Sequence, residues 1–302
     1  MQGEFGFTRK DIEEARLEDA SLLSQAGSVQ KESSASSSVL ALHVLGSGSK
    51  GNCTLIENTH TGETVMVDCG LCKRDVFQRA EEASVDLSKL RGIVITHEHT
   101  DHTKGLGVVT RGLAKQGISV PLFVASPVMN ASKALQEVAS VSDVSFFKVE
   151  DQISLAGMQV YPFATSHDAA ASFGFRFWSE DDAIGYLTDS GIVTGAAHEA
   201  LSGVRILALE SNHDERMLDQ GPYPYSVKKR IASDVGHLSN TQAETELASL
   251  LGTDLEWVVA MHISENNNTY RIPVESLRRT VFDARHGASV VCAYQARMVS
   301  VR

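Results

Sequence analysis

The stretch that decides the fold is residues 92–102, which read Gly-Ile-Val-Ile-Thr-His-Glu-His-Thr-Asp-His. Its first half is rich in β-branched residues and predicts a buried strand. Its second half holds His97, His99, Asp101 and His102 within six residues. Side chains two positions apart do not share a helix face, so we expect these groups in a loop at the end of the strand. Imidazole nitrogen and carboxylate oxygen suit Zn²⁺, and also Mn²⁺ or Fe²⁺, so the segment predicts a metal site.

Short predicted strands and helices alternate along the rest of the chain. The predicted strands cover residues 39–45, 53–57, 64–67, 92–96, 122–125, 144–147, 159–163, 173–178, 183–188, 205–209 and 255–261. The predicted helices cover residues 74–83, 104–116, 126–139 and 241–251. Interleaved strands and helices predict a layered α/β fold with helices on the outer faces of the sheets.

The first 38 residues differ from the others. They begin with an acidic segment and end in a Ser-rich stretch without any apolar period, so we predict a flexible tail over 1–38 and a folded domain over 39–302. An organelle-targeting peptide is the alternative. Six acidic residues among the first 20 weigh against it, because transit peptides are poor in acid. We therefore expect a cytoplasmic protein.

Composition excludes several classes of protein. The 302 residues are 42% hydrophobic and 22% charged, which is typical of a globular protein. No apolar run approaches the roughly 20 residues that cross a membrane, and 4 cysteines are too few for a disulfide-stapled scaffold. The net charge of −11 argues against a broad basic face that coats nucleic acid. It still allows an enzyme that acts on phosphates, because bound metal ions supply local positive charge.

The segment His97-x-His99-x-Asp101-His102 resembles the signature of the metallo-β-lactamase-fold hydrolases. The other motifs of that family follow in order, each after a predicted strand or close to one. They are Asp68, His167, Asp189 and His262. The resemblance extends over about residues 39–292 and implies a four-layer αββα sandwich.

The resemblance also implies two divalent metal ions, zinc or manganese, with iron as a further possibility. The ligands it implies are His97, His99 and His167 for one ion, and Asp101, His102 and His262 for the other. Asp189 would be shared, and Asp68 would support the metal loop. Ions held ~3.5–4 Å apart lower the pKa of a shared water towards neutrality, so the implied nucleophile is a hydroxide that bridges both ions.

His237 and Glu210 point towards phosphodiester substrates. His237 comes just before a predicted helix, and phosphodiesterases such as tRNase Z have a similar element whose histidine protonates the leaving oxygen. Glu210 resembles the acidic residue that orients this histidine, since a carboxylate fixes the tautomer of its imidazole partner. With Asp101, these two residues form the predicted catalytic group. The alternative is that His237 only caps the helix.

Four segments together are similar to the YycJ/WalJ group, which is regarded as a group of 5′→3′ DNA exonucleases. The segments are residues 45–52, 210–214, 236–240 and 262–268. This similarity implies a nucleic-acid substrate, with DNA favoured over RNA. A hydrolase of small molecules (a cyclic phosphodiester, lactone or thioester) is the alternative, and a scaffold protein without turnover is a third reading.

Further residues are candidates for substrate contacts. Next to His262, we predict that Ser264, Asn267 and Asn268 donate hydrogen bonds to a terminal phosphate. On the preceding segment, Lys228, Lys229 and Arg230 could follow a nucleic-acid strand, with tyrosines nearby for stacking. A solvated helix face explains these three charges equally well. Cys69 and Cys72 are expected to be small buried residues near the metal loop, in preference to a redox pair.

Overall fold

The computed structural model describes residues 38–302, which contain two mixed seven-stranded sheets. The strands of the first sheet are β1 (Leu40–Gly46), β2 (Cys53–Asn58), β3 (Glu63–Val67), β4 (Leu90–Val94), β5 (Leu122–Ala125), β6 (Val144–Phe147) and β14 (Val299–Val301). Those of the second are β7 (Ile153–Leu155), β8 (Met158–Ala164), β9 (Phe173–Ser179), β10 (Asp182–Leu187), β11 (Ile206–Glu210), β12 (Trp257–Met261) and β13 (Ser289–Cys292).

Each sheet is half antiparallel and half parallel. The first has the order β14-β1-β2-β3-β4-β5-β6 and becomes parallel from β3 onwards. The second has the order β13-β12-β11-β10-β9-β8-β7 and is parallel from β10 to β13. Parallel neighbours need a crossover, which is usually a helix on a sheet face.

Ten α-helices lie within residues 38–302. They are α1 (Lys73–Glu82), α2 (Thr100–Thr103), α3 (Leu106–Ala114), α4 (Ser126–Ala131), α5 (Lys133–Ala139), α6 (Gly195–Leu201), α7 (Glu215–Gln220), α8 (Tyr225–Ile231), α9 (Asn240–Leu250) and α10 (Arg271–Asp283). A short 3₁₀ turn, Leu87–Lys89, precedes β4. Within residues 38–302, no helix is long and apolar enough to cross a membrane.

The second sheet buries both of its faces. On β11, Ile206 and Ala208 join the apolar cluster that includes the first sheet, whereas Leu207 and Leu209 pack with residues of α6, α9 and α10. Successive side chains of a strand point to opposite faces, so one face meets the other sheet and the opposite face meets helices. The first sheet has α1 and α3 in its cluster. These layers confirm the predicted αββα sandwich.

Several predicted boundaries were wrong. The helix predicted over 126–139 is interrupted at Ser132, whose side chain accepts a hydrogen bond from Leu135 N and starts α5. The helix predicted over 104–116 is shorter, and it follows the separate turn of α2. Strands β7, β13 and β14 and helices α2, α6, α7, α8 and α10 were not predicted, because most are short or lack a clear apolar period. Asp101 and His102, which we expected in a loop, lie on the single turn of α2. The tail predicted over 1–38 lies outside the described residues, apart from residue 38.

Candidate metal centre

Every predicted metal ligand lies just beyond the end of a strand. The ligands beyond β4 are His97 and His99 in the loop and Asp101 and His102 on α2; those beyond β8, β10 and β12 are His167, Asp189 and His262. Strands β8, β10 and β12 run in the same direction, so their C-terminal ends reach one edge of the sheet. This shared edge is why Asp189 and His262, which are 73 positions apart in the chain, lie within 3.5 Å of each other.

The side chains form two adjoining groups. The first ligand group is His97, His99 and His167, and the second is Asp101, His102 and His262. Within each group, the ligand atoms all lie within 4.8 Å of one another. Asp189 joins the groups: one carboxylate oxygen is 3.4 Å from His102 Nε2 and the other is 3.8 Å from His167 Nε2. The structure therefore brings together the residues predicted for two ions, and their role as ligands stays a prediction.

Hydrogen bonds fix the tautomer of four imidazoles. His97 Nδ1 donates to Thr96 Oγ1 (2.9 Å) and His167 Nδ1 donates to the Gly236 carbonyl (3.0 Å). His102 Nδ1 donates to Asp68 Oδ2 (2.7 Å), and His262 Nδ1 donates to Glu210 Oε1 (2.9 Å). In each ring Nδ1 is engaged as a donor, so Nε2 is the nitrogen that can bind a metal ion. Such outer partners orient metal-bound histidines in proteins generally.

Unpartnered buried atoms show that the site fits a pair of cations. His97 Nε2, His262 Nε2 and Asp189 Oδ2 are buried without a hydrogen-bond partner. A buried polar atom without a partner is costly, and a metal ion is one of the few groups that can satisfy several at once. Nitrogen and carboxylate donors suit Zn²⁺, Mn²⁺ or Fe²⁺. The donor set and its unmet atoms thus agree with the predicted ions.

Charges at the centre oppose the effect of burial. Burial disfavours the charged form of His102, but Asp189 and Asp68 outweigh it and raise its pKa to about 9. Burial likewise disfavours protonation of His262, but Asp189, Asp101 and Glu210 raise its pKa well above the usual value. Without a metal, therefore, protons compensate the carboxylates. A divalent ion that binds here must displace them.

The family of the chain follows from comparison with known proteins. The family described as "Beta-lactamase superfamily domain" matches residues 63–263. The chain belongs to the beta-lactamase superfamily. It is 32% identical over 231 residues to exodeoxyribonuclease YycJ of Bacillus anthracis, an alignment that covers 76% of this chain and 85% of that protein. With exodeoxyribonuclease WalJ of Streptococcus pneumoniae serotype 2 it shares 32% identity over 226 residues, or 74% of this chain and 82% of WalJ.

A solved structure supports the same assignment of fold. The metallo-β-lactamase-fold protein YhfI of Bacillus subtilis matches with a TM-score of 0.63 at 12% identity, over 87% of this chain and 99% of YhfI. The resemblance to metallo-β-lactamase-fold hydrolases is therefore confirmed. As in the signature of that fold, His97 to His102 supply the largest share of the predicted ligands.

Glu210 has a wider role in this superfamily member than the sequence indicated. It lies fully buried at the end of β11, and its Oε1 accepts hydrogen bonds from both His237 Nδ1 (2.8 Å) and His262 Nδ1 (2.9 Å). Its Oε2 accepts from the backbone amides of Ser190 and Leu238. Burial opposes its charge, but the two histidines hold its pKa far below the usual range. One carboxylate thus links the predicted general acid to the second ligand group.

The helix-cap reading of His237 is wrong. Ser239 is the N-cap of α9, and it forms a reciprocal capping box with Gln242. The His237 ring instead lies between the two ligand groups, with its centroid 5.0 Å from that of His167 and 5.1 Å from that of His262. The ring is 17% exposed, so one edge can reach a substrate.

Two residues with no role in the sequence analysis support the centre. Thr96 Oγ1 donates to Asp68 Oδ2 (2.8 Å) while accepting from His97, which connects the support residue to the first ligand group. Asn52 Nδ2 lies 3.0 Å from His102 Nε2, and Asn52 N donates to the Asp101 carbonyl. Polar residues of this kind are common in loops, so the sequence carried no signal that singled them out.

The predicted phosphate contacts are partly engaged inside the protein. Asn268 is buried, and its amide donates to the carbonyls of Ser211 and Asn212 and to Asn240. Ser264 Oγ accepts hydrogen bonds from the backbone and side-chain nitrogens of Asn267. These contacts correct the sequence-based expectation: all three predicted residues are buried, and they shape the loop after His262.

The predicted basic segment is also divided. Lys228 donates to the Asp219 carbonyl, and Arg230 forms an ion pair with Asp168, so both cations already have partners inside the protein. Lys229 is exposed on α8, as is Tyr225, which is 80% exposed.

The prediction that Cys69 and Cys72 are both buried is half wrong: Cys69 is buried, but Cys72 is exposed, and both are free thiols.

Proposed function

We propose that the protein is a metal-dependent phosphodiesterase, and more specifically a 5′→3′ DNA exonuclease. The observation that carries this proposal is the position of His237, which belongs to neither predicted ligand group and lies beside both. Hydrolysis of a phosphodiester releases a sugar alkoxide, which requires a proton donor. The names of YycJ and WalJ, exodeoxyribonucleases over most of whose length this chain aligns, support DNA as the substrate.

The residues of the chain divide the proposed reaction among them. Glu210 accepts from His237 Nδ1 and thereby holds the proton-donating nitrogen, Nε2, towards the leaving oxygen. Asp189 and the two ligand groups would hold the two ions, and Asp68 would fix His102. When bound, the ions lower the pKa of a water and neutralise charge on the phosphate. One carboxylate oxygen of Asp101 lies 3.9 Å from His262 Nε2. The Asp101 side chain is 24% exposed, so it forms the solvent-facing side of the second ligand group.

A substrate strand would pass along the exposed part of α8. Lys229 offers a cation for the backbone, and Tyr225 offers a ring for stacking, a combination typical of single-strand binding. Val235, two residues before His237, and Ile192, in the loop after Asp189, are both more than a third exposed and add apolar surface. The location of the protein in the cytoplasm also remains a prediction.

The test uses four oligonucleotides: DNA and RNA, each with a 5′-phosphate or a 5′-hydroxyl. The full chain is incubated with each in the presence of Mn²⁺ or Zn²⁺, and the products are resolved by length. The proposal predicts stepwise shortening of 5′-phosphorylated DNA from its 5′ end. Cleavage of RNA alone would overturn the assignment of DNA as the substrate. If none of the four oligonucleotides is cleaved, the proposal that the protein is a nuclease is overturned.

The His237→Ala variant is the matched test of the proton donor. It should retain its metal content and lose turnover by roughly 10²–10⁴-fold, the usual contribution of a general acid. Salt distinguishes the small-molecule alternative, because a nuclease with several phosphate contacts loses affinity steeply as salt rises. A substrate affinity that does not respond to salt would favour the small-molecule reading.

A further inference from the structure

Asp168, the residue after the predicted ligand His167, forms an ion pair with Arg230 at the end of α8. The contact is two-pronged: Arg230 Nε donates to Asp168 Oδ2, and Nη2 donates to Oδ1 at 3.1 Å. The pair lies at the centre, because Asp168 Oδ1 is 3.5 Å from His167 Nε2. Its side chains are 56% and 29% exposed, so an ion pair of this kind adds little to global stability.

Backbone contacts make this pair part of a larger connection. Residues 231–237, which we name the His237 turn, follow Arg230 directly and end at the predicted general acid. Ser166, His167 and Asp168 donate hydrogen bonds to three successive carbonyls of the His237 turn, those of residues 234, 236 and 235. His237 N in turn donates to the Ile231 carbonyl at 2.9 Å.

Apolar packing contributes little to holding this segment. No side chain of α8 is fully buried, and Val235 is 45% exposed. The position of the His237 turn therefore depends on polar contacts: those with residues 166–168 and the hydrogen bond from His237 to Glu210. Between residues 166–168 and residues 230–237, the Asp168–Arg230 pair is the one ionic contact that the described residues show.

We propose that Arg230 is a positioning residue: its ion pair with Asp168 clamps the His237 turn onto the loop of His167 and so sets the place of the general acid. The sequence suggested instead that Arg230 follows a nucleic-acid strand. The inference rests on the proposed function, since it assigns Arg230 a part in the same reaction. A displacement of ~1 Å in a catalytic group can lower turnover by up to about a hundredfold.

The experiment compares Arg230→Ala with Arg279→Ala in the full chain. Arg279 on α10 is the matched control, since it forms an ion pair at 3.0 Å with Glu244 on α9. The Arg279 side chain is 51% exposed and that of Glu244 is 24% exposed. For Arg230→Ala we expect kcat to fall about tenfold or more with KM nearly unchanged, and Arg230→Lys to recover part of the loss. Arg279→Ala should match the wild type, and the metal content should be equal in all three.

A double-substitution cycle distinguishes the clamp from a strand contact. If the pair acts as a unit, Asp168→Asn combined with Arg230→Ala is no worse than the poorer single variant. A rise in KM with a weaker salt dependence, confined to Arg230→Ala, would overturn the clamp and restore the strand contact. So would a fall in kcat that is explained by loss of metal.

A readout without turnover separates this inference from the proposed function. Amide hydrogen exchange of residues 231–237 should speed up in Arg230→Ala and stay unchanged in Arg279→Ala. If the wild type cleaves no oligonucleotide, the nuclease proposal fails, yet faster exchange still supports the clamp. Unchanged exchange in Arg230→Ala would overturn the clamp even if the nuclease proposal stands.

Discussion

Replacing Glu210 by Gln probes the connection between His237, the proposed general acid, and the second ligand group. The substitution keeps the size of the side chain and removes its charge. In the wild type, Oε1 accepts from two imidazoles and Oε2 from two backbone amides. A glutamine has only one acceptor oxygen, so two of the four donors must face its NH₂ group. Either the histidines or the backbone amides lose their partner.

The expected magnitude has two parts. Loss of an outer partner of a metal ligand typically lowers metal affinity or activity by about 10–100-fold. Here His262 and His237 lose the same carboxylate, so we expect one such factor in metal affinity and another in kcat. The loss of metal affinity no longer lowers activity at saturating metal, whereas the loss of kcat persists. At limiting metal the activity should therefore fall by roughly 10²–10⁴-fold, and at saturating metal by about 10–100-fold.

The assay measures kcat on 5′-phosphorylated DNA across a titration of Mn²⁺. Glu246→Gln is the matched control, since Glu246 accepts a hydrogen bond from His198 Nδ1 at 2.6 Å on the helix side of the second sheet, without contact to the centre. It should resemble the wild type. Activity of Glu210→Gln within about twofold of the wild type at both ends of the titration would refute the reasoning.

Two other predictions concern stability and packing. Burial lowers the pKa of His213 to about 4, whereas the unfolded chain titrates near 6.5. Between these values the unfolded chain binds the extra proton, so His213 by itself should lower the free energy of unfolding by on the order of 3 kcal/mol as the pH drops from 6.5 to 4. Urea titrations should show a shallower fall for His213→Gln and an unchanged one for the exposed His60→Gln; equal slopes in all three would contradict the assignment. A Cβ at Gly70 would lie 1.5 Å from the Asp101 carbonyl oxygen, so Gly70→Ala should displace α2 and lower metal content, measured by mass spectrometry. Gly195→Ala, where a Cβ meets nothing within 4 Å, is its control, and equal metal content in both would contradict the packing argument.

Local sequence predicted a metal site only around His97, where four ligand-type residues follow a predicted strand. For His167, Asp189 and His262 the assignment came from the resemblance to the metallo-β-lactamase-fold hydrolases. The structure brings these side chains together, and their role as ligands stays a prediction.

Other features depend on contacts between distant parts of the chain. Asp68, Asp189 and His262 each have positive φ values, between 53° and 58°, a strained conformation for residues with a side chain. The tertiary structure imposes it, and no propensity of Asp or His indicates it. The shared hydrogen bonds of Glu210 and the ion pair of Arg230 join elements far apart in sequence. A basic run looks the same whether it binds a strand or a neighbouring carboxylate.

The most direct test of the two-ion centre is anomalous diffraction from crystals grown with Mn²⁺ or Zn²⁺. We predict two peaks, one among His97, His99 and His167 and one among Asp101, His102 and His262, with Asp189 in contact with both. In Asp189→Ala crystals both peaks should weaken or vanish. A single peak, or ions bound away from these side chains, would contradict the account.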